Sequence, residues 1–170
     1  MPPIRQSEAV AERWFLKIDG IPGESTDASH KDEIDVLSWS WGVAQSGTLG
    51  QGGGGGAGKA QFEAFHFVAQ ISKASPMLFL SCATGTHHKT AALSGVRGAG
   101  KSTSADFLKY KLSDVIVKTV QHSDSEAGAP IEQFSLLYNK FEVSYTPQTA
   151  SGKLGPPIQA GYDVKGNKAL

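Results

Sequence analysis

The sequence predicts a mainly β protein, an antiparallel barrel or sandwich with one helix packed against it. Three observations point there. Stretches of alternating apolar and polar residues add up to about six to eight strands. A single segment, "SPMLFLSCATG", carries the start and stop signals of a helix. Strands and helices do not alternate in the rhythm that a parallel βαβ sheet requires. The chain has 170 residues, of which 39% are apolar. A domain near that size buries about 70% of the surface its unfolded chain exposes.

Residues 1–12 read as a flexible N-terminal tail and residues 13–170 as one domain. In "RWFLKIDG", Trp14, Leu16 and Ile18 share one face of a strand, and Phe15, Lys17 and Asp19 share the other. "IPGE" stops it. "EIDVLSWSWGVAQSG" is the clearest strand: Leu37, Trp39, Trp41 and Val43 alternate with Ser38, Ser40, Gly42 and Ala44. Ile34 and Val36 have the opposite parity, which predicts a bulge or a sharp bend near Val36. The indole face packs a core; the small-residue face meets something that tolerates no bulk, or water. Residues 47–59 form a glycine-dominated loop, long for a compact domain. "AQFEAFHFVAQI" returns to strand.

In the helix, Ser75 is placed to cap, Pro76 suits the first helical position, and Gly85 ends it in a left-handed conformation. Met77, Leu78, Phe79 and Leu80 make its start apolar all round, so it is expected against the main core. "HHKTAALSGVRG" and "SADFLKYKLSDVIVKTVQHS" follow as strands. Leu108, Leu112 and Val115 of the second also fit a helix, but its β-branched run favours strand. "IEQFSLLYNKFEVSYTP" is a long strand. Phe134, Leu136 and Tyr138 face one way and Phe141, Val143 and Tyr145 the other, again suggesting a bulge. Residues 149–170 are loop, with a short edge strand at "GYDVK".

Composition narrows the function. Lys plus Arg total 16, as do Asp plus Glu; that balance, without a basic run, argues against a nucleic-acid binder. One cysteine, Cys82, excludes an intrachain disulfide framework. The N-terminus lacks the apolar stretch of a standard secretory signal, and "MLFL" is far short of a membrane span. The chain is thus expected to be made in the cytoplasm and, if exported, to leave without a cleaved signal peptide.

Two glycine motifs raise a nucleotide question. "GVRGAGKST" fits G-x-x-x-x-G-K-S/T at Gly95, Gly100, Lys101 and Ser102, and "GGGGGAGKA" fits except at Ala60. A phosphate loop needs a helix starting at the Lys-Ser/Thr, so that its amides point at the phosphates. Strand-like sequence follows both lysines, and Asp35 and Asp114 begin strands where a Mg²⁺ ligand would end one. "GAGKST" therefore reads as a hairpin connection. His87 and His88 are adjacent and point to opposite faces of a strand; His30, His66 and His122 stand apart, so no metal site is expected. Cys82 reads as a small buried hydrophobe, and Lys109 and Lys111 as a solvated face. No G-x-S-x-G elbow occurs, no catalytic set assembles, and no cofactor is implied.

"FLKIDGIPGES", "HKDEIDVLSWSWGVAQSG", "GGGGGAGK", "KASPMLFLSCATG" and "FEVSYTPQ" occur in this order. They closely resemble the haemolysin-coregulated protein (Hcp) family, the tail-tube subunit of bacterial type VI secretion systems, over Phe15 to Gln148. The segment after Gln148 is variable in that family, and the N-terminal extension is longer than usual. The resemblance implies a β-barrel of two sheets with one helix on its side, and no active site. It implies a homo-hexameric ring, with rings stacking into a tube that a contractile sheath fires, a spike protein caps, and small effectors ride inside. On it, Ser38 and Ser40 are expected to line the lumen, and Gly52, Gly53, Gly54, Gly55, Gly56 and Lys59 to contribute to ring stacking. Two alternatives stand beside this: a non-assembling β-barrel binding module, separated by molecular mass in solution, and a P-loop nucleotide-binding protein, whose binding Lys101→Ala would abolish.

Overall fold

In the computed structural model, which describes residues 12–47, 58–98, 105–126 and 128–170, six antiparallel strands close into a barrel. The chain runs β1 (Glu12–Ile18), β2 (Ile34–Ser40), β3 (Val43–Gln45), β4 (Ala60–Phe62), β5 (Phe65–Gln70), α1 (Ser75–Thr84), β6 (His87–Arg97), β7 (Ala105–Ser125), β8 (Gly128–Tyr145), β9 (Ile158–Asp163) and β10 (Lys168–Ala169). Around the barrel the order is β1, β6, β7, β8, β5, β2 and back to β1. β9 and β10 extend the sheet beyond β8, and β3 and β4 form a separate two-stranded sheet. Glu12, expected in the N-terminal tail, opens β1 opposite Arg97; residues 1–11 lie outside the described residues.

Large apolar side chains fill the barrel. Leu16, Ile34, Phe65, Phe67, Leu93, Leu112, Phe134 and Leu136 are fully buried, each contributing about 1.5–3 kcal/mol relative to exposure. Trp41 stacks on Phe65 at 4.9 Å, and Trp39 meets Trp14 edge-on at 5.0 Å. Both indoles are half-buried against this core, as their alternation predicts. The Trp41 Nε1–H donates to the Tyr138 hydroxyl, which donates to the Glu63 carbonyl at 2.9 Å. The polar edge of the indole is thereby satisfied, as a buried Trp requires.

The expected irregularity near Val36 is present: the β2–β5 register shifts between Val36 and Ser38. It turns Val36 inward and leaves Leu37 exposed, so Leu37 does not share the core face with Trp39. The strand also breaks at Trp41–Gly42, and Val43, now in β3, is exposed rather than buried. "AQFEAFHFVAQI" splits likewise: β4 pairs with β3, and β5 joins the barrel.

The parity change in β8 has a different cause from a bulge. Leu112↔Phe141 and Val115↔Tyr138 keep one register, so both strands distort together there. Asp114 takes φ 54° at that place and is held by the side chains of His87 and Asn139. Asp114 therefore lies within β7 rather than at its start. The register shifts of this pair fall elsewhere, between Val117 and Thr119 and between Ser123 and Ser125. β7 is one long strand, so the helical alternative for "SADFLKYKLSDVIVKTVQHS" does not hold.

α1 ends as expected, at Gly85 with φ 65°. Its start differs. The N-cap residue is Ala74, with no side-chain capping bond. The Ser75 hydroxyl instead accepts the Ser72 amide and donates to the carboxylate of Glu132, each at 2.9 Å. Glu132 is wholly buried, and its other oxygen meets His122 Nε2 at 3.1 Å. One buried acid therefore pins the helix to β7 and β8.

Candidate functional site

The outer face of β2 is built by alternation. With Trp39 inward, Ser38 and Ser40 must point outward, and both are exposed. Register extends this face across four strands. Ser40 pairs with His66 on β5, His66 with Ser135 on β8, and Ser135 with Thr119 on β7. Directly opposed residues of antiparallel strands share a face. A second row runs Ser38, Val68, Gln133 and Gln121. Besides the His66 imidazole, the two rows hold short or amide side chains, Ser135 itself buried, and no carboxylate, ammonium or guanidinium. Thr119 and Ser135 bond hydroxyl to hydroxyl at 2.6 Å. Alternation within β2 identified the serines; His66, Gln121, Gln133 and Thr119 become visible only through register.

The β3–β4 sheet carries the glycine-rich loop. Phe62 packs on Phe141 at 5.5 Å and Tyr162 at 5.1 Å, and the Glu63 amide donates to the Gly42 carbonyl. With the Trp41–Tyr138–Glu63 chain, these contacts fix the base of the loop to the barrel. Lys59 is exposed beside β4. Gly52, Gly53, Gly54, Gly55 and Gly56 lie outside the described residues.

α1 departs most from expectation. It lies along β7, but of its apolar start only Leu78 is buried. Met77, Phe79 and Leu80 are 44%, 61% and 55% exposed. An uncharged helix with this much apolar surface in water is a candidate interaction face.

Among the described residues, several titratable side chains pair with one another. Among the described residues, no cluster of three or more His, Cys, Asp or Glu side chains could hold a metal ion. His87 and His88 do point apart: His87 is exposed on Asp114 at 2.8 Å, whereas His88 is buried between Ser81 Oγ at 2.6 Å and the Asp19 carbonyl at 2.7 Å. The bond from His87, helped by Asn139, outweighs the cost of burial and lowers the Asp114 pKa from its ordinary value. His30 and His122 are not isolated as expected, since both meet carboxylates. Cys82 is only half-buried, its Sγ 3.4 Å from the Lys118 carbonyl. Lys109 and Lys111 are exposed, and Lys111 approaches Glu142 at 3.8 Å.

Gly95 has a packing reason of its own. A Cβ there would stand 2.5 Å from Trp14 and 3.0 Å from Phe107, so the position admits no side chain. Arg97 pairs with Ala105 across an antiparallel β6–β7 ladder. β6 and β7 are thus adjacent antiparallel strands; the connection expected at "GAGKST", with Gly100, Lys101 and Ser102, lies outside the described residues. No helix among the described residues is long and apolar enough to cross a membrane.

Comparison with known proteins adds family and fold. The family described as "Type VI secretion system effector, Hcp" matches residues 15–145. Protein hcp1 of Pseudomonas aeruginosa is 39% identical over 160 residues, which cover 93% of this chain and 98% of that protein. The crystal structure of Hcp1 from Salmonella typhimurium matches with a TM-score of 0.77 and 36% identity, over 94% of this chain and 99% of that one. A structure of a type six secretion system protein matches with a TM-score of 0.87 and 30% identity, over 94% and 100%.

Proposed function

The chain belongs to the Hcp family of type VI secretion proteins, and we propose that it is the structural subunit of the tail tube, a protomer of hexameric rings that stack and carry small effectors in their lumen. Family membership across nearly the whole chain carries this reading. Two features of the barrel support it. The exposed apolar side of α1 is surface that assembly would cover. On the outer face of β2, β5, β8 and β7, the two rows that start at Ser38 and Ser40 carry no fixed charge, which suits a lumen that holds cargo without gripping it.

In this role the protein makes no bonds, and its usefulness is geometric. Head-to-tail contacts between identical copies either close into a ring or run on as a filament. Closed rings stack through the β3–β4 loop, Gly52 to Gly56 with Lys59, and ordering that loop costs entropy that the neighbouring ring must offset. Synthesis in the bacterial cytoplasm, export by sheath contraction without a cleaved signal peptide, and contact with the sheath and a spike protein belong to the same proposal.

Ser40→Gln tests the lumen assignment. The longer amide should leave the ring's native mass unchanged and lower effector recovery in co-purification. Unchanged recovery would remove Ser40 from the lumen.

A further inference from the structure

His30 is 6% exposed and lies in the loop between β1 and β2. Its ring stacks on Phe15 at 4.8 Å, nearly parallel. Nδ1 lies 2.9 Å from a carboxylate oxygen of Glu33, and Nε2 lies 2.8 Å from one of Asp106. An ionised carboxylate only accepts hydrogen bonds. Both ring nitrogens must therefore carry protons for both bonds to form, which describes an imidazolium. A neutral ring would turn a lone pair toward one of the two acids.

The loop has its own framework. Gly23 and Ser25 donate backbone bonds to the Asp32 and Glu33 carbonyls, and Asp32 donates to the Ser25 carbonyl. The Asp27 carboxylate accepts from the amides of Ser29 and His30 and pairs with Arg13 of β1 at 2.8 Å. Arg13 also lies over Phe15 at 5.6 Å. Arg97, on β6, is engaged by Glu12 of β1; Asp35 stands on β2; and Asp32 is met by Lys73 at 3.5 Å. From β7 the only group reaching the ring among the described residues is Asp106, which sits beside the β6–β7 connection.

We propose that His30 is a proton-operated latch that ties the β1–β2 loop to the start of β7, closed when the ring is charged and open when it is neutral. Burial alone would disfavour the charged ring, but Asp106 and then Glu33 outweigh it and hold the His30 pKa above its ordinary value. The sign follows. A group whose pKa is raised by folding contributes fully below its free value, about 6.5 for histidine, and that contribution is lost as pH rises through the folded pKa. The latch is closed in solution more acidic than about pH 6.5 and opens as pH rises through the folded pKa. It operates within one protomer, whether or not rings form.

Hydrogen exchange read by mass spectrometry on the full chain tests it at any assembly size. Exchange of the His30 Cε1–H gives its pKa, and amide protection of residues 23–33, corrected for the intrinsic pH dependence of exchange, gives loop opening. Protection should fall about tenfold for each unit by which the His30 pKa exceeds 6.5, while the amides of β8 stay protected. Asp106→Asn should lower the His30 pKa and move loop opening to lower pH together, because a neutral amide accepts a bond without favouring the charge. A His30 pKa at or below 6.5, or loop protection that does not change across the titration, overturns the latch. So does an unchanged opening midpoint in Asp106→Asn with β8 intact.

Discussion

Gly95→Ala separates the packing role of this glycine from a phosphate-binding one. An added methyl group at residue 95 would stand 2.5 and 2.7 Å from two atoms of the Trp14 indole and 3.0 Å from Phe107. Neither ring is free to retreat. Trp14 is wedged edge-on between Trp39 at 5.0 Å and Phe107 at 5.7 Å, and Phe107 lies under the Arg97 guanidinium at 3.8 Å. Overpacking of this kind costs about 1–3 kcal/mol. For a chain of this length each kcal/mol moves Tm by roughly 2–4 °C, so the midpoint should fall by roughly 2–12 °C. Urea unfolding of both proteins at the same protomer concentration compares them on an equal footing, because assembly makes stability concentration-dependent. Repeating the substitution in a Trp14→Leu background supplies a double-mutant cycle, in which the penalty should shrink by at least about 0.5 kcal/mol. A neutral Gly95→Ala, or an equal penalty in both backgrounds, would refute the packing explanation.

Deleting Gly52 to Gly56 should leave rings of unchanged native mass and abolish tubes seen by electron microscopy; loss of the rings themselves would contradict a role confined to stacking. Glu132→Ala strips the acceptor from the buried Ser75 hydroxyl and should cost about 1–3 kcal/mol, with α1 amides exchanging faster than those of β5. An unchanged unfolding midpoint would show that the acid does not hold the helix. Gly85→Ala meets no atom within 4 Å, so only its left-handed backbone is penalised. The expected loss is about 1–2 kcal/mol, and a stabilising effect would contradict the observed C-cap.

Particular residues show how far the sequence alone reached. The opposite parity of Ile34 and Val36 against Trp39 and Trp41 located the β2 irregularity, because a period of two leaves no other way to bury both sets. Parity did not say which residue the irregularity would push out, and Leu37 is the one exposed. Pro76 and Gly85 marked the helix, since their backbone preferences are local. Its orientation was illegible: a helix apolar on every side has no pattern to reveal which side is covered, so Met77, Phe79 and Leu80 could not be placed outward. Ser40 was readable from alternation within β2, whereas its neighbours His66, Gln133 and Thr119 depend on pairings between distant strands. The same holds for His30, whose partner Asp106 lies 76 residues away and leaves no trace in local spacing.

Tube assembly is tested most directly by the native mass of the purified chain over a wide range of dilution, with micrographs of the same sample. A tail-tube subunit should give a ring of six protomers that persists on dilution and appears as a hollow disc. A lone protomer at every concentration, with no disc in the images, would contradict it.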